Sequence, residues 1–459
     1  MSLSATLATA RTGMAATGVR AQTASSNIAN VSTPGYVRRD TSVSQNGATG
    51  GVTTDVARTQ DRVLVQSRRD AQSQSAHSAV IQDAMQRALS AFGEPGSSTG
   101  VFGTFTQFES DLQTLRSTPE SSAAQAITVE SLKDLTTALT TASQDLQTER
   151  TRADANLSTD IAQANELAAD LFKLNNDIRT ASGAGRNTAP LLDQRDQLLD
   201  KLSGYLPFNV TYENTGAVAV RTESGLTLVG VTLNEIEFSP ANRIGPLDVA
   251  EPTGRLSIPT LNGQPIGPES GGHAIREGRI AAHLTLRDTD IPRQAATLDD
   301  FAYDLASAFQ GMGEPLLLDA GAAIDINNKV GLSERLTVNA LVDPSRGGDV
   351  TRLRDGLTAA TPGAPSEDGL LTQFIDTIAS FSDRLANVIS DVSSEAFRAE
   401  RIHTGNLARE TTLFDADAEL SAVDLDNELQ SLLAIEQAYS ANARVIQTVS
   451  DIFDILARL

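Results

Sequence analysis

The sequence predicts a mainly α fold with an inserted β domain, built from long helices in nested, discontinuous domains, with the N- and C-terminal helices paired as a coiled coil. Three observations predict it. Stretches free of glycine and proline carry apolar residues at helical spacing, as between Pro119 and Gly183 and from Leu370 to His403. Heptad seams occupy both chain ends. Residues 206–274 instead show short alternating apolar runs divided by glycines.

The first thirty residues read as one helix. Leu3, Leu7, Ala10, Met14, Thr17, Ala21, Ala24 and Ile28 recur at a strict four-three spacing. That seam is narrow and suits a coiled-coil partner more than a broad globular core. Its middle is alanine and threonine, so the partner backbone must come close. Gly13 and Gly18 each weaken the isolated helix by roughly 1 kcal/mol, which leaves it marginal alone. Asn30 is expected to stop the helix in a left-handed conformation. Thr33-Pro34-Gly35-Tyr36 follows as a turn, with proline preset for one corner and glycine free to take positive φ at the next.

From Asp61 to Phe92 the pattern is helical but polar, and Glu94-Pro95-Gly96 breaks it. A short helix places Phe102, Phe105, Phe108 and Leu112 on one side. Leu132, Leu135, Leu139, Ala142 and Leu146 form a stripe that Leu157, Ile161, Ala164, Ala168, Leu171 and Ile178 continue. These are one or two long helices of about 40 Å each. From Leu206-Pro207, the pairs Val210/Tyr212, Val218/Val220 and Leu226/Leu228 and the run Val231, Leu233, Ile236 suggest short strands. Helix resumes near Gly278 and runs past Asp299 to Phe309. Residues 311–365 are mixed and loop-rich. A helix spans Leu370 to His403, and Gly405 marks a turn.

Asp424 opens the last helix, where Asp426 and Glu428 suit its dipole. Leu425, Leu432, Tyr439, Ile446 and Phe453 repeat every seven residues, interleaved by Ile435, Asn442, Val449 and Leu456. Asn442 is a polar group inside the seam, of the kind that fixes register at some cost in stability. Arg458 is expected near the C-terminal dipole. Pairing the two terminal seams is the simplest way to bury both. The expected division is 1–60 with 415–459 as a terminal coiled-coil domain, 61–205 with 275–414 as a helical domain, and 206–274 as a small inserted β domain.

Bulk properties narrow the function. The 459 residues carry 36 basic and 58 acidic side chains, a formal net charge of −22. Nucleic acid and anionic membrane surfaces are poor partners for such a chain. There is no cysteine, which excludes disulfides, zinc-thiolate sites and a cysteine nucleophile. Aromatic residues make up 4 % and tryptophan is absent, while 40 % of residues are hydrophobic. Small-residue cores suit closely packed helices better than an aromatic-lined ligand pocket. The N-terminus has no apolar segment of the secretory type, and no run of about 18 apolar residues occurs.

Motifs of chemistry are weak. Gly267-Pro268-Glu269-Ser270-Gly271-Gly272 superficially matches the nucleophile loop of trypsin-like proteases, but His77 is the only histidine before it and sits in a polar helical stretch. A glycine-rich turn is the better reading. His77, His273, His283 and His403 share no metal-ligand spacing and read as solvated or partly packed. Asp325-Ile326-Asn327-Asn328-Lys329-Val330-Gly331 fails as a calcium loop, because Lys329 takes an acidic ligand position and no glutamate stands at position twelve. No catalytic, cofactor-binding or metal residue is assigned, and no cofactor is expected. The candidate functional residues are assembly contacts: Leu3, Leu7, Met14, Ile28, Asn30, Pro34, Gly35 and Tyr36 at one end, and Leu425, Leu432, Ile435, Tyr439, Asn442, Ile446, Val449, Phe453 and Leu456 at the other.

Ser26-Asn27-Ile28-Ala29-Asn30-Val31-Ser32-Thr33-Pro34-Gly35-Tyr36 resembles the N-terminal signature of bacterial flagellar rod, hook and hook-associated proteins. Within that group, the run from Leu191 to Asp200 (Leu-Leu-Asp-Gln-Arg-Asp-Gln-Leu-Leu-Asp) resembles the hook-associated protein 1 family, the junction proteins between hook and filament. So do Gly271-Gly272, Gly278-Arg279-Ile280, Leu286-Arg287-Asp288 and the stretches Val423–Asp426 and Gln437–Thr448. One departure is Ala422-Val423-Asp424-Leu425, where the family usually has Gly-Val-Asn-Leu. The resemblance implies a structural subunit of the flagellum, secreted by the flagellar type III route without a cleaved signal and folding on assembly. It implies terminal helices forming an inner tube and middle domains outside. The implied partners are copies of the chain in a ring, hook protein below, the next junction protein above, and a dedicated export chaperone on the C-terminal region. Alternatives are another axial subunit, such as a hook or rod protein, or a secreted serine hydrolase using Ser270.

Overall fold

The computed structural model describes residues 3–45, 52–93 and 100–458. The expected break at Glu94-Pro95-Gly96 and the Arg458 side chain lie outside what is described. The chain begins with α1 (Leu3–Ala29) and an antiparallel hairpin of β1 (Arg39–Gln45) and β2 (Val52–Arg58). Helices α2 (Arg62–Phe92), α3 (Val101–Ser117), α4 (Ser122–Gly183) and α5 (Ala189–Ser203) follow. Two small antiparallel sheets come next. One orders β3 (Phe208–Tyr212), β4 (Val218–Thr222) and β5 (Thr227–Val229); the other orders β6 (Ile236–Glu237), β7 (Thr260–Leu261) and β8 (Gln264–Pro265). Then come α6 (Gly278–Thr285), α7 (Ile291–Gly311), a hairpin of β9 (Leu317–Asp319) and β10 (Leu336–Val338), and the one-turn helices α8 (Leu332–Arg335) and α9 (Arg352–Asp355). The chain closes with α10 (Gly369–Ser421) and α11 (Leu425–Arg458).

The long central segment is one helix of 62 residues, α4, not two. It starts where Ser121 caps it, the Ser121 hydroxyl accepting from the Ala124 amide. At 1.5 Å per residue it is about 93 Å long. Its apolar stripe serves two cores. Val129 to Leu146 pack with α3, α7, α10 and the β9–β10 hairpin, where Phe105, Phe301 and Phe381 meet edge to face at 5.9 and 6.2 Å. Leu157 to Leu171 pack with α5, α6 and the strands β3 to β7. The strands therefore bury their apolar side chains on the C-terminal half of α4. Between the cores, buried Arg150 donates to the carbonyls of Arg287 and Asp248, and Arg287 pairs with Asp154 at 2.6 Å. Arg287 and Asp288 sit in a π-type turn, Leu286–Asp290, joining α6 to α7.

Several local expectations are corrected. Gly405 makes no turn; α10 runs through it, with open space where a side chain would be. One glycine costs about 1 kcal/mol, which the packing of α10 along α2 outweighs. Val231 and Leu233 form no strand, and Val231 is almost fully exposed. Asn30 does not take positive φ; its amide and its side chain both bond back to the Ser26 carbonyl, ending α1 without a left-handed residue. The β1–β2 hairpin has no clear signature in the sequence. Its exposed valines and polar residues give no clean alternation, and it is held against α1 instead.

Candidate assembly interface

Helices α1 and α11 lie against each other, so the two chain ends pair within one molecule. The approach can be close because α1 is small where it is buried, at Ala10, Ala16, Thr17 and Ala24. A Cβ on Gly13 would lie only 3.1 Å from Oδ1 of Asn442. Glycine thus lets the polar residue of the seam reach the partner backbone. Leu3, Leu7, Met14 and Ile28 are half-buried.

The structure divides the two heptad lines of α11. Ile435 and Val449 are buried, and Asn442 is half-buried beside Gly13; these face α1. The other line is not covered. Leu425, Tyr439 and Phe453 are 42 %, 48 % and 40 % exposed, with Leu432 and Ile446 half-buried between them. Leu456, from the interleaved set, is also exposed. One line of α11 is therefore spent on α1, and the apolar line beside it remains largely open.

The turn after α1 ties this pair to the rest of the molecule. Asn27 is only 1 % exposed, and its side chain makes four hydrogen bonds. It donates to the Arg39 carbonyl at 2.9 Å and to Glu428 of α11 at 2.8 Å. It accepts from the Tyr36 hydroxyl at 2.8 Å and the Arg39 amide at 3.1 Å. One side chain thus joins α1, the turn, β1 and α11. Gly35 takes φ +76°, and any side chain on it would collide with Gln197 of α5, which donates to the Pro34 carbonyl at 2.8 Å. Pro34 and Gly35 are exposed, Asn30 and Tyr36 half-buried. The Pro-Gly-Tyr turn therefore docks on the helix that carries Leu-Leu-Asp-Gln-Arg-Asp.

That helix explains its own motif. Asp193, Asp196 and Asp200 stand three and four residues apart, so they share one face of α5. Asp193 receives Arg39 at 3.2 Å and Arg58 at 2.9 Å. Asp196 lies 2.7 Å from Arg195 and from Arg58, the latter as an ion contact off the hydrogen-bonding axis. Asp200 receives Arg68 at 2.7 Å and the fully buried Arg69 at 2.8 Å. Arg68 also reaches Asp417 of α10 at 3.1 Å. Burial raises the Asp193 carboxyl above its ordinary range, against the pull of Arg58 and Arg39. Burial works upward on Asp196 too, but Arg195, Arg58 and Arg69 together hold it below that range. Asp417 is raised by burial, only partly offset by Arg68. A charge lattice thus binds the hairpin, α2 and α10 to α5.

The other family segments are structural in the same sense. Gly278 has φ +81°, and a Cβ there would collide with the backbone at Tyr205. Arg279 pairs with the buried Asp160 at 2.9 Å. Ala422 is extended, with φ −71°, so the link into α11 needs no glycine. Asp424 caps α11 by accepting from the amides of Asp426 and Asn427.

Sequence reasoning missed Asn27, Glu428, Gln197 and the arginine–aspartate lattice. The available signal was the one-face spacing of the three aspartates and the arginine doublets Arg38-Arg39 and Arg68-Arg69. Ser270 lines a cavity of about 410 Å³ with Glu251, Glu269 and Asp288, and among the described residues it has no histidine partner. His283 is not solvated: it is buried, with Nε2 3.2 Å from Asp160. His77 is half-buried, with Nδ1 3.3 Å from the Gly278 carbonyl, and desolvation lowers its pKa. Among the described residues no group of three or more acidic or histidine ligands gathers to hold a metal, and no helix is long and apolar enough to cross a membrane.

Comparison with known proteins agrees along the chain. The profile of the flagellar hook-associated protein FlgK helical domain matches residues 85–313. That of the flagellar basal body rod FlgEFG protein C-terminal region matches residues 418–459, and that of the flagella basal body rod protein matches residues 7–36. Flagellar hook-associated protein 1 of Escherichia coli is 24 % identical over an alignment of 561 positions, gaps included, covering 100 % of both chains. The Bacillus subtilis protein of that name is 24 % identical, covering 98 % of this chain and 96 % of its own. The solved structure of the flagellar hook junction protein FlgK from Burkholderia pseudomallei superposes with a TM-score of 0.46 at 21 % identity, covering 56 % of this chain and 45 % of that one. On the sequence matches, which span both ends and the middle, this chain belongs to the flagellar hook-associated protein 1 family.

Proposed function

We propose that the chain is a non-catalytic structural subunit of the flagellar hook–filament junction, and that it assembles through the side of α11 that α1 leaves open. The observation that carries this is the exposed line Leu425, Tyr439 and Phe453, with Ile446 half-buried within it, flanking the neighbouring line, three residues on, that is already paired with α1. A large apolar stripe on a helix of an acidic, otherwise polar surface is a contact surface awaiting a partner. The setting proposed with it is copies of the chain in a ring, hook protein on one side and the next junction protein on the other, as the family resemblance implies. In this reading the chain is secreted by the type III route, a dedicated chaperone covers the C-terminal region before export, and the subunit completes its fold on assembly outside the cell. Residues 1–60 with 415–459 form the inner module, 61–205 with 275–414 the outer helical domain, and 206–274 the β insertion on it.

The test is a pull-down of the purified full chain on isolated hooks. The wild type binds, and Phe453→Asp does not, while both keep the same melting of the middle region. Equal binding by the two would place the contact elsewhere. Failure of the wild type to bind hooks would remove the junction reading.

A further inference from the structure

Beside the Asn27 hub lies a polar cleft of about 140 Å³ between α1, β1 and the start of α11. Arg20, Arg38 and Arg39 line it, with Asp40, Asn427 and Glu428. Its polar groups are unevenly satisfied. Asp40 and Glu428 each have an oxygen engaged elsewhere, by the Thr41 amide and by Asn27. Arg39 spends one terminal nitrogen on Asp193, outside the cleft. The Nε groups of Arg38 and Arg39 are buried and have no hydrogen-bond partner. Arg20 makes no ion pair among the described residues. Buried donors left without acceptors are costly, those on charged groups most of all. The space exceeds that of a single water.

The surrounding charge sharpens the point. Residues 1–60 hold five arginines and two aspartates, in a chain whose net charge is −22. A cationic segment persists here although most of the chain is acidic. Guanidinium groups converging on a small cleft match the multi-oxygen acceptors of a carboxylate, sulfate or phosphate.

We propose that this cleft is an oxyanion site, and that its occupant in the assembled state is a side-chain carboxylate of a second copy of the chain. The acidic surface of a neighbouring subunit supplies such groups in excess. Seating one there would pair the guanidinium groups of Arg20 and Arg38, which make no ion pair among the described residues, at the point where α1, the turn and α11 meet.

The experiment uses the full chain and inorganic sulfate as probe, titrated calorimetrically at constant ionic strength against chloride. The wild type should bind one sulfate saturably. Arg20→Ala and Arg38→Ala should each weaken binding about tenfold, the scale of one charged hydrogen bond. Arg11→Ala, on the same helix but outside the cleft, should leave it unchanged. Hydrogen exchange of α1 and α11 establishes that each variant keeps the pair. No saturable sulfate binding by the wild type, or equal binding by the cleft variants, overturns the site. This arm does not depend on the flagellar reading. A second arm identifies the source of the anion. If Arg20→Glu binds no sulfate and also fails to assemble while Arg20→Lys succeeds, the anion is a carboxylate of a neighbouring copy. If Arg20→Glu loses sulfate binding yet assembles, the occupant is a free anion.

Discussion

Asn27→Ala should release the terminal helix pair while leaving the middle of the molecule intact. The side chain is 1 % exposed and satisfies four groups at once. Its loss strands the Glu428 carboxylate, itself 9 % exposed, together with both backbone groups of Arg39 and the Tyr36 hydroxyl. The hydrogen bond to a carboxylate contributes about 1.5–3 kcal/mol and each neutral one about 1 kcal/mol. Tyr36 is half-buried and can turn to water, so the net cost is about 3–5 kcal/mol. Tyr36→Phe removes one of the four bonds and should cost about 1 kcal/mol. Amide exchange in α1 and α11 reports this directly. Protection there should fall about a hundredfold or more in Asn27→Ala, or vanish if the pair undocks, and about fivefold in Tyr36→Phe. Asn27→Asp adds a discriminator. At neutral pH it sets a second carboxylate against Glu428; in acid a protonated carboxyl can donate again, so protection should recover, whereas Asn27→Ala should not recover. Unchanged exchange in Asn27→Ala, or equal loss of protection throughout α4, would refute the hub.

Three further outcomes follow from the same geometry. Val449→Asp, buried against α1, should undock the pair, whereas Ile446→Asp should block incorporation at the hook tip with the middle domains folded and Gln447→Asp should be mild; equal damage from the last two would show the open side is misassigned. Arg58→Ala deprives Asp193 and Asp196 of a shared cation and should cost about 3–5 kcal/mol at neutral pH. Asp193 is already raised by burial, so its penalty is full above its folded pKa and is relieved as pH falls through that value; Asp196 is held low in the wild type, and its contribution is lost as pH falls through its own folded pKa. The gap between wild type and Arg58→Ala in thermal melts should therefore narrow from neutral pH into the carboxylate range, and a constant gap would deny that the lattice is electrostatic. Ser270→Ala should leave motility intact and the wild type unlabelled by a fluorophosphonate; specific labelling of Ser270 would reopen the hydrolase alternative.

How much of this was legible in the sequence depends on the range of the interaction. The long helices were legible because periodicity is local: Leu132 to Ile178 carry one stripe without a breaker, and all of it is buried. The terminal pairing was legible because two heptad seams need partners. What faces what was not. The sevenfold line through Tyr439 and Phe453 is the stronger pattern, yet the interleaved Ile435 and Val449 face α1. The choice is made by α1, whose small residues and Gly13 admit Asn442. Gly405 misled because an exposed glycine carries the same letter in a turn and in a helix clamped by its neighbour. The lattice was invisible for a different reason. Its partners are separated by 131 residues for Arg69 and Asp200 and by 154 for Arg39 and Asp193, and no local rule pairs charges over such distances. The family motifs marked these positions, and the structure gives the physical reason: Gly35 for the approach of Gln197, and three aspartates for five arginines.

The single helix shared by the two cores has a mechanical consequence. A load applied to one core reaches the other along an unbroken ladder of peptide hydrogen bonds, and the Arg150–Asp154–Arg287 clamp resists shear at its midpoint. The middle of the molecule therefore behaves as one stiff beam without an internal joint. Compliance is left to the two thin crossings that connect it to the terminal pair: the backbone leaving the Pro-Gly-Tyr turn and the extended link at Ala422. A backbone bond from the Arg38 amide to the Ser421 carbonyl joins the two crossings, and the Gln197–Pro34 bond and the Arg39–Asp193 pair pin the turn to the beam. Bending strain in an assembly would gather at these crossings and spare both cores.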